Sequence, residues 1–337
     1  MDRSSLVYKG WWPDATCCDQ VLRILPDGDW IAVFMTGGQT EPAPENHVVL
    51  CRSRDQGLTW GPPEDVLRLP DRASTMTEVL VHDGAVTVHV QIHRGAFDDW
   101  RNATVTSRDG GRTWGAPVEF AALPRRAMIR NTLHSSWGTW YMPFQHYLPQ
   151  GDTSASVLRD GSFAAPAIGV LLSDDQGTTW RTSATVTGHG WAEGTLTELR
   201  DGTLAMLVRH DGTGCLWRTD SRDRGATWSA PARTAIPNPG SKARLWRLRD
   251  GRHVLVHNPN PATSHPNSKP YASLNRSPLS LWISDDDLAS WSYRRDLTAF
   301  PGMLAYPDGV ISDDERWVHL VFDYNRHDVI HWSAELP

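Results

Sequence analysis

The composition describes a folded, turn-rich protein and excludes several functions. The 337 residues include 17 Trp, 27 Gly and 23 Pro, and 39% are hydrophobic, a share that disordered segments lack. The 33 basic residues are outnumbered by 39 acidic ones, which gives a net charge of −6. No positive excess therefore favours nucleic acid or an anionic membrane as a partner.

No stretch of the chain is apolar over the roughly 18 residues that a membrane span requires. The first residues, Met1–Ser5, show no signal-peptide pattern, so we expect a soluble, cytoplasmic protein. The cysteines have neither a disulfide-framework nor a zinc spacing; they are Cys17, Cys18, Cys51 and Cys215. We expect reduced thiols, no metal and no cofactor.

One phrase, Ser-x-Asp-x-Gly-x-Thr-Trp, recurs along the chain. It occurs at Ser53–Trp60, Ser107–Trp114, Ser173–Trp180 and Ser221–Trp228, with a degenerate copy at Ser284–Trp291. Its chemistry is that of a hairpin turn, because Ser and Asp cap turn amides, Gly adopts a positive φ and Trp packs back onto a sheet. Successive copies begin 54, 66, 48 and 63 residues apart, a spacing typical of propeller blades and of about six units.

A second repeat places a strand, a turn and another strand around a glycine in each unit. These glycines are Gly28, Gly84, Gly138, Gly202 and Gly251, and the last unit uses Val310–Glu315 instead. No window of 12 or more residues shows a helical period. The sequence therefore predicts an all-β chain that forms a single six-bladed β-propeller domain over residues 1–337. The last unit supplies three strands, and Ser5–Lys9 is predicted to add the fourth.

The repeated phrase is identified as the Asp box, or BNR repeat, of the sialidase (neuraminidase) superfamily, and the resemblance covers nearly the whole chain. It implies a six-bladed propeller whose mouth, opposite the Asp boxes, holds three arginines that bind a carboxylate. It also implies a Glu–Tyr nucleophile pair and an acid/base Asp.

Four of these elements have matching positions in this chain. The activating Glu, nine residues before the glycine of the fourth hairpin, is Glu193. The second arginine, seven after that glycine, is Arg209, and the third is Arg276 in the phrase Arg276–Leu279. The nucleophilic tyrosine is Tyr306, at the start of the last blade.

Two elements are missing. The first-blade Arg-Ile-Pro phrase is replaced by Cys17–Asp19, and Arg23 is too close to the hairpin to substitute. No Asp stands where the acid/base residue is expected, although Glu41, Glu45 or His47 could serve. An Asp at position 19 would repel the carboxylate that the missing arginine should bind, so ordinary sialic-acid hydrolysis is not the expected activity.

Equivalent positions of every unit should point to the same mouth. Besides the matched residues, they include Asp19, Arg130, Lys242, His93, Gln145, His146, Tyr147 and Asn258. This mixture of charges and hydrogen-bonding groups suits sugar hydroxyls and carboxylates. The predicted partner is therefore an oligosaccharide with an acidic sugar, and the oligomeric state is left open.

Structural roles compete with these assignments. The five Asp-box carboxylates are predicted to cap turns, Glu193 and Arg209 could form a buried structural pair, and Tyr306 could be a core aromatic. Any one of the histidines could be a structural imidazole. The proline-rich stretch 258–275 is a solvated loop or, as a weaker hypothesis, a lid.

Four functions remain open. The leading hypothesis is hydrolysis of a glycosidic bond at or next to a carboxylated sugar, with Tyr306 as nucleophile, Glu193 as its base, and His47 or Glu45 as acid. The alternatives are β-elimination at a uronic acid by a lyase that uses His and Tyr, a sialidase proper, and a glycan-binding propeller without catalysis.

Overall fold

A computed structural model describes residues 1–95, 100–147, 166–261 and 276–337. Within these ranges every regular element is a β-strand, and no helix there could cross a membrane. The chain divides into two compact units, one made of residues 1–121 with 305–337 and the other of residues 122–304. That the chain forms a single domain stays a prediction.

The first unit contains three four-stranded antiparallel sheets, with strand orders β2-β3-β4-β5, β6-β7-β8-β9 and β1-β26-β25-β24. Its strands are β1 (Arg3–Lys9), β2 (Cys17–Ile24), β3 (Trp30–Thr36), β4 (His47–Ser53), β5 (Glu64–Leu67), β6 (Ala73–His82), β7 (Ala85–His93), β8 (Arg101–Ser107), β9 (Val118–Glu119), β24 (Leu304–Ile311), β25 (Trp317–Tyr324) and β26 (Asp328–Glu335). The N-terminal strand β1 thus completes the last sheet, as predicted.

The second unit contains the other three sheets, with orders β10-β12-β13-β14, β16-β17-β18-β19 and β20-β21-β22-β23. Its strands are β10 (Ala127–Ile129), β11 (Leu133–His134), β12 (Trp140–His146), β13 (Ala167–Ser173), β14 (Arg181–Thr182), β15 (Val186–Thr187), β16 (Gly194–Glu198), β17 (Leu204–Val208), β18 (Cys215–Ser221), β19 (Ala232–Pro237), β20 (Arg244–Arg247), β21 (His253–His257), β22 (Ser280–Ser284) and β23 (Tyr293–Asp296). In its first sheet the inner and outer strands are each broken in two, since β11 also pairs with β12 and β15 with β13.

The Asp boxes form the turns after the third strands of five sheets. In the third copy, Asp175 Oδ1 accepts the Thr179 N–H (2.8 Å) and Oδ2 accepts the Thr179 hydroxyl (2.6 Å). The Ser173 hydroxyl accepts the N–H of Gly177, whose φ is 89°. The corresponding carboxylates make the same bonds in the other copies; they are Asp55, Asp109, Asp223 and Asp286. Their predicted role as turn caps is confirmed.

The core lies between neighbouring sheets of each unit and is built from the alternating apolar residues of the strands. One cluster in the first unit joins Val33 and Leu50 of one sheet to Val88 and Val105 of the next. Arg23 also belongs to this interior, because it forms ion pairs with the buried carboxylates of Glu78 and Asp308. All four cysteines are buried and reduced.

Candidate active site

In the second unit, Glu193 lies between two arginines. It directly precedes β16, and Arg209 directly follows β17, its antiparallel neighbour. The Arg209 N–H donates to the Glu193 carbonyl (2.9 Å), so hairpin pairing places these two residues side by side. Arg209 Nη1 is 2.8 Å from Glu193 Oε2, and Arg130 Nη2 is 2.9 Å from Oε1.

This ion-pair cluster is almost wholly buried, with Glu193 and Arg130 each 2% exposed and Arg209 4%. Burial alone would raise the pKa of Glu193, but the charges of Arg130 and Arg209 outweigh it and the pKa is lowered. The carboxylate is therefore ionised at neutral pH, which suits a proton acceptor and not a proton donor.

The backbone beside both charged residues is strained. Ala192 has a φ of 46° and Asn131 a φ of 60°, and neither residue lies in a two-residue hairpin turn. Left-handed backbone in residues other than glycine costs about 1–3 kcal/mol and is concentrated at functional sites. Here the strain occurs next to Glu193 and Arg130, which supports a functional role for the pair.

A further shell holds this cluster in place. Asp211 Oδ1 accepts Arg209 Nε–H and its Oδ2 accepts the Trp191 N–H, at 2.8 and 2.9 Å. The Tyr147 hydroxyl donates to the Trp191 carbonyl (2.7 Å), and burial and the charge of Glu193 raise the pKa of Tyr147 well above its ordinary value. These contacts fix the segment that leads into Glu193.

The other predicted residues of this unit have separate environments. Lys242 is 1% exposed, and its charge also lowers the pKa of Glu193. Gln145 and His146 end β12; burial lowers the pKa of His146. Arg276 Nη2–H donates to the Gly240 carbonyl (2.9 Å).

Asn258 has a positioning role in this structure. Its amide nitrogen donates to the carbonyls of Arg276, Pro278 and Leu304 at 2.9 to 3.1 Å, so it joins three chain segments near Arg276. The lid hypothesis concerns 258–275, of which 262–275 lie outside the described residues. That Asn258 contacts substrate stays a prediction.

In the first unit, Tyr306 is the third residue of the inner strand β24 and has a left-handed backbone, φ 56°. Its side chain is 8% exposed. Gln20 Nε2–H donates to the carbonyls of Ala305 (3.0 Å) and Tyr306 (2.7 Å). An aromatic residue in this conformation is a genuine outlier, and a neighbouring strand holds it there.

Arg326 reaches the ring of Tyr306 from the next hairpin. Asn325 and Arg326 form a two-residue turn with φ values of 57° and 58°, and the His327 N–H closes it on the Tyr324 carbonyl (3.1 Å). The guanidinium carbon lies 5.1 Å from the centroid of the Tyr306 ring, and Nη2 is 2.7 Å from Glu41 Oε2. The structure therefore brings a cation to the first blade, where the sequence lacks the expected arginine.

Cys18, Asp19 and Glu41 lie beside Arg326, with one possible ligand atom of each within 4.8 Å of the others. The Cys18 thiol donates to Glu41 Oε2 (3.1 Å), and burial raises its pKa well above the ordinary value. The thiolate that a soft metal needs is therefore disfavoured, and a cation would have to displace Arg326 from Glu41. These residues do not fit a metal centre.

The histidines predicted for this unit are held within the fold. His47 Nδ1 is 2.9 Å from the Glu45 carbonyl, and its Nε2 contacts the Arg68 guanidinium. Burial and Arg68 lower its pKa. His93 is fully buried, and its Nδ1 accepts the Gly95 N–H (2.9 Å). The role of His47 as an acid stays a prediction. Of the two alternatives, Glu41 is half-buried and Glu45 is exposed.

Sequence reasoning missed three residues that support the site. Arg326, Gln20 and Asp211 lie just outside the repeat positions that nominated the others, which included Tyr147. Of these, only Arg326 could have been found from the sequence. It follows Asn325 in a two-residue hairpin turn, at a position where Gly is the favoured residue after Asn.

Several solved structures share the fold. The Hadza microbial sialidase Hz136 matches with a TM-score of 0.75 at 17% identity, over 95% of this chain and 66% of its own. The Trypanosoma rangeli sialidase matches with a TM-score of 0.69 at 15% identity, over 95% of this chain and 55% of its own. A Dyadobacter fermentans protein of unknown function matches with a TM-score of 0.70 at 16% identity, over 100% of this chain and 99% of its own.

This chain thus spans about two thirds of the first sialidase and about half of the second. No curated protein matches it in sequence. The predicted fold class, a six-bladed β-propeller of the sialidase type, is confirmed by the six sheets and by these likenesses. The family model of the BNR repeat-like domain matches residues 29–320, and the chain belongs to that family.

Proposed function

We propose that this protein hydrolyses a glycosidic bond at or next to a carboxylated sugar. The observation that carries the proposal is Tyr306, held in a left-handed backbone with Arg326 against its ring. A phenol is a neutral nucleophile, which an acidic sugar does not repel. The adjacent cation stabilises the phenolate as it develops.

The second unit supplies the residues for the substrate carboxylate. Arg130, Arg209 and Lys242 are buried together with the carboxylates of Glu193 and Asp211, so the cluster carries a net positive charge. Together with Arg276, these cations suit an anionic sugar, and arginines bind carboxylates in a fixed bidentate geometry.

In the proposed reaction the Tyr306 oxygen attacks the anomeric carbon and Glu193 accepts the phenolic proton. The bond to the leaving oxygen breaks while an acid, Glu45 or His47, protonates that oxygen. Water then cleaves the glycosyl–tyrosine bond and restores the phenol. The pairing of Tyr306 with Glu193 comes from the sialidase resemblance, and the ionised state of Glu193 supports its role as the base.

A glycan panel tests this proposal. The protein is incubated with sialosides and with uronate-containing oligosaccharides, and the products are weighed by mass spectrometry. We expect products whose summed mass exceeds the substrate by one water. Tyr306→Phe should lower kcat by at least about 1000-fold, since the nucleophilic oxygen is lost. Tyr293→Phe, a tyrosine on the outer strand β23, is the matched control and should keep full activity.

Other outcomes would identify the alternatives. Products without added water that absorb in the near ultraviolet would indicate the lyase and refute hydrolysis. Intact oligosaccharides that bind but are never cleaved would indicate a glycan-binding protein. Release confined to sialosides and lost in Tyr306→Phe would indicate a sialidase proper, despite the replaced first-blade arginine.

A further inference from the structure

Two adjacent tryptophans stand out because they are exposed. Trp11 is 67% exposed and Trp12 is 72% exposed. All 17 tryptophans lie within the described ranges, and the other fifteen are buried or half-buried. The Asp boxes account for five of those. Neither the Asp boxes nor the core explains the exposed pair, which lies in the connection between β1 and β2.

The connection that carries the pair is fixed by backbone hydrogen bonds. The Trp11 N–H donates to the Asp14 carbonyl (3.1 Å), and the Gly38 N–H donates to the Pro13 carbonyl (2.8 Å). The Tyr8 hydroxyl also donates to the Asp14 carbonyl (2.9 Å). The indoles therefore project from an ordered backbone, and a ligand would not have to order it.

The same connection adjoins the hairpin turn that carries Arg326. The Gly10 N–H donates to the His327 carbonyl, and the Cys17 N–H donates to the Arg326 carbonyl, both at 2.9 Å. The Thr16 hydroxyl donates to the Arg326 carbonyl as well (3.2 Å). Both ends of the connection that carries the tryptophan pair are therefore bonded to the turn whose Arg326 side chain meets Tyr306.

Polar side chains border the pair. Lys9 Nζ lies 5.2 Å from the centroid of the Trp11 ring. Asp14 Oδ2 is 3.8 Å from Arg68 Nη2, and these two side chains are 34% and 50% exposed. Apolar surface rimmed by such groups is typical of a ligand-binding groove. Indole faces pack against the C–H faces of sugar rings, and the polar rim can bind their hydroxyls.

We propose that Trp11 and Trp12 form a second sugar subsite, which binds a neutral sugar next to the one cleaved at Tyr306. The proposal rests on the proposed function, since it assigns the pair to the same glycan. A second copy of the chain is a poorer occupant. Two indoles offer at most about 500 Å², whereas a stable interface takes about 800 Å² from each partner.

The test compares a short with a long substrate in the full chain. The short probes are the 4-methylumbelliferyl glycosides of N-acetylneuraminic acid and glucuronic acid. The long probes are 3′-sialyllactose and a hyaluronan hexasaccharide. In the variant Trp11→Ala with Trp12→Ala, we expect the ratio of kcat/KM for the long probe to that for the short probe to fall about tenfold.

Two control variants accompany it. Phenylalanine at both positions should keep most of the ratio, because the aromatic faces remain. Leu58→Ala removes another exposed apolar side chain, 56% exposed, from an Asp-box turn and should not change the ratio. A ratio within twofold of the original in the double alanine variant would overturn the subsite while leaving the proposed function intact.

A binding experiment distinguishes failure of the subsite from failure of the proposed hydrolase. It measures affinity of the long probes for the Tyr306→Phe protein by titration calorimetry, with and without the tryptophan pair. If no probe is cleaved but the double alanine change weakens binding about tenfold, the subsite stands and the hydrolase fails. If no probe is cleaved or bound, both fail. A dimer that dissociates in the double alanine variant would show that the pair is a protein interface and overturn the subsite.

Discussion

Among single residues, positive φ values outside tight turns coincide with positions that the sequence predicts for the site. Most residues other than glycine with such backbone lie in tight turns, as Gln56 and Gln176 do in the Asp boxes. Tyr306, Asp19 and Ala192 instead lie at or beside the starts of inner strands, where the repeat places the mouth of the propeller. Strain at these positions costs stability, so its presence in several blades supports a function there.

The role of Arg326 beside Tyr306 can be tested by replacing it with glycine, which suits a left-handed backbone better. In Arg326→Gly we expect kcat/KM to fall about 100-fold with the proposed substrates, since Tyr306 loses the adjacent cation. We expect Tm to change by only a few degrees, because the relaxed turn offsets the lost ion pair with Glu41. Steady-state kinetics and thermal unfolding measure the two effects.

Arg224→Gly is the matched control for that variant. Arg224 also has a left-handed backbone, with a φ of 57°, but it lies in an Asp-box turn and its side chain contacts Trp137. It should keep full activity. Equal losses of activity in the two variants would show that Arg326 acts on the fold and not on Tyr306.

The buried ion pair of Arg130 with Glu193 contributes to stability. Arg130→Met removes one partner of a buried ion pair and leaves the Glu193 carboxylate with less compensating charge. We expect the free energy of unfolding to fall by about 3–5 kcal/mol. Urea denaturation at pH 7 measures it. Adding Glu193→Gln to Arg130→Met should recover part of the loss, and a strictly additive double variant would contradict the coupling.

At the scale of elements, the repeats made the sheets predictable and the site only partly so. Asp175 and its counterparts could be identified as turn caps because their hydrogen bonds are local, within four residues. Hairpin periodicity likewise predicted that Glu193 and Arg209 lie at the mouth. Local patterns cannot reveal contacts between distant segments. Arg326 meets Glu41 across 285 residues, and Arg130 meets Glu193 from a different sheet, so neither pair could be read from spacing.

The N-terminal strand β1 closes the last sheet. It pairs with β26 along its length, its Val7 is part of a core cluster, and the Ser5 hydroxyl accepts a bond from Trp60 Nε1–H (3.0 Å). Deleting residues 1–9 should therefore lower Tm by more than about 10 °C, because β26 becomes an unpaired edge.

Removing only Met1 and Asp2 is the control for this deletion, since both precede β1. That shorter deletion should leave Tm within a few degrees. Differential scanning calorimetry measures both proteins, and light scattering detects the aggregation that an open edge strand favours. Equal Tm values for the two deletions would show that β1 contributes little to closing the last sheet.

At the scale of the whole molecule, buried histidines set the response to acid. Burial lowers the pKa of His89, His319 and His331 to about 4 and that of His257 to about 3. These residues lie in three different sheets. In the unfolded chain the pKa of each of these imidazoles is about 6.5. Between these values the unfolded chain binds more protons than the folded one, so stability falls as the pH falls.

We therefore predict a steep loss of stability as the pH is lowered from about 6.5 to 4. Each histidine contributes a slope of up to about 1.4 kcal/mol per pH unit. The Asp-box carboxylates add to the loss only at lower pH, because the pKa of Asp55 and that of Asp175 are lowered to about 2. Urea denaturation at pH 7, 6 and 5 measures the slope.

His89→Leu isolates one of these contributions. Neither ring nitrogen of His89 has a hydrogen-bond partner among the described residues, and the ring packs edge-on against Phe120. Replacing it with an apolar side chain should cost less than about 1.5 kcal/mol at pH 7. Between pH 6.5 and 5, the slope of the free energy of unfolding against pH should be smaller in the variant by the contribution of one histidine. If the slope is unchanged, His89 is not neutral in the folded protein, and its burial does not contribute to acid unfolding.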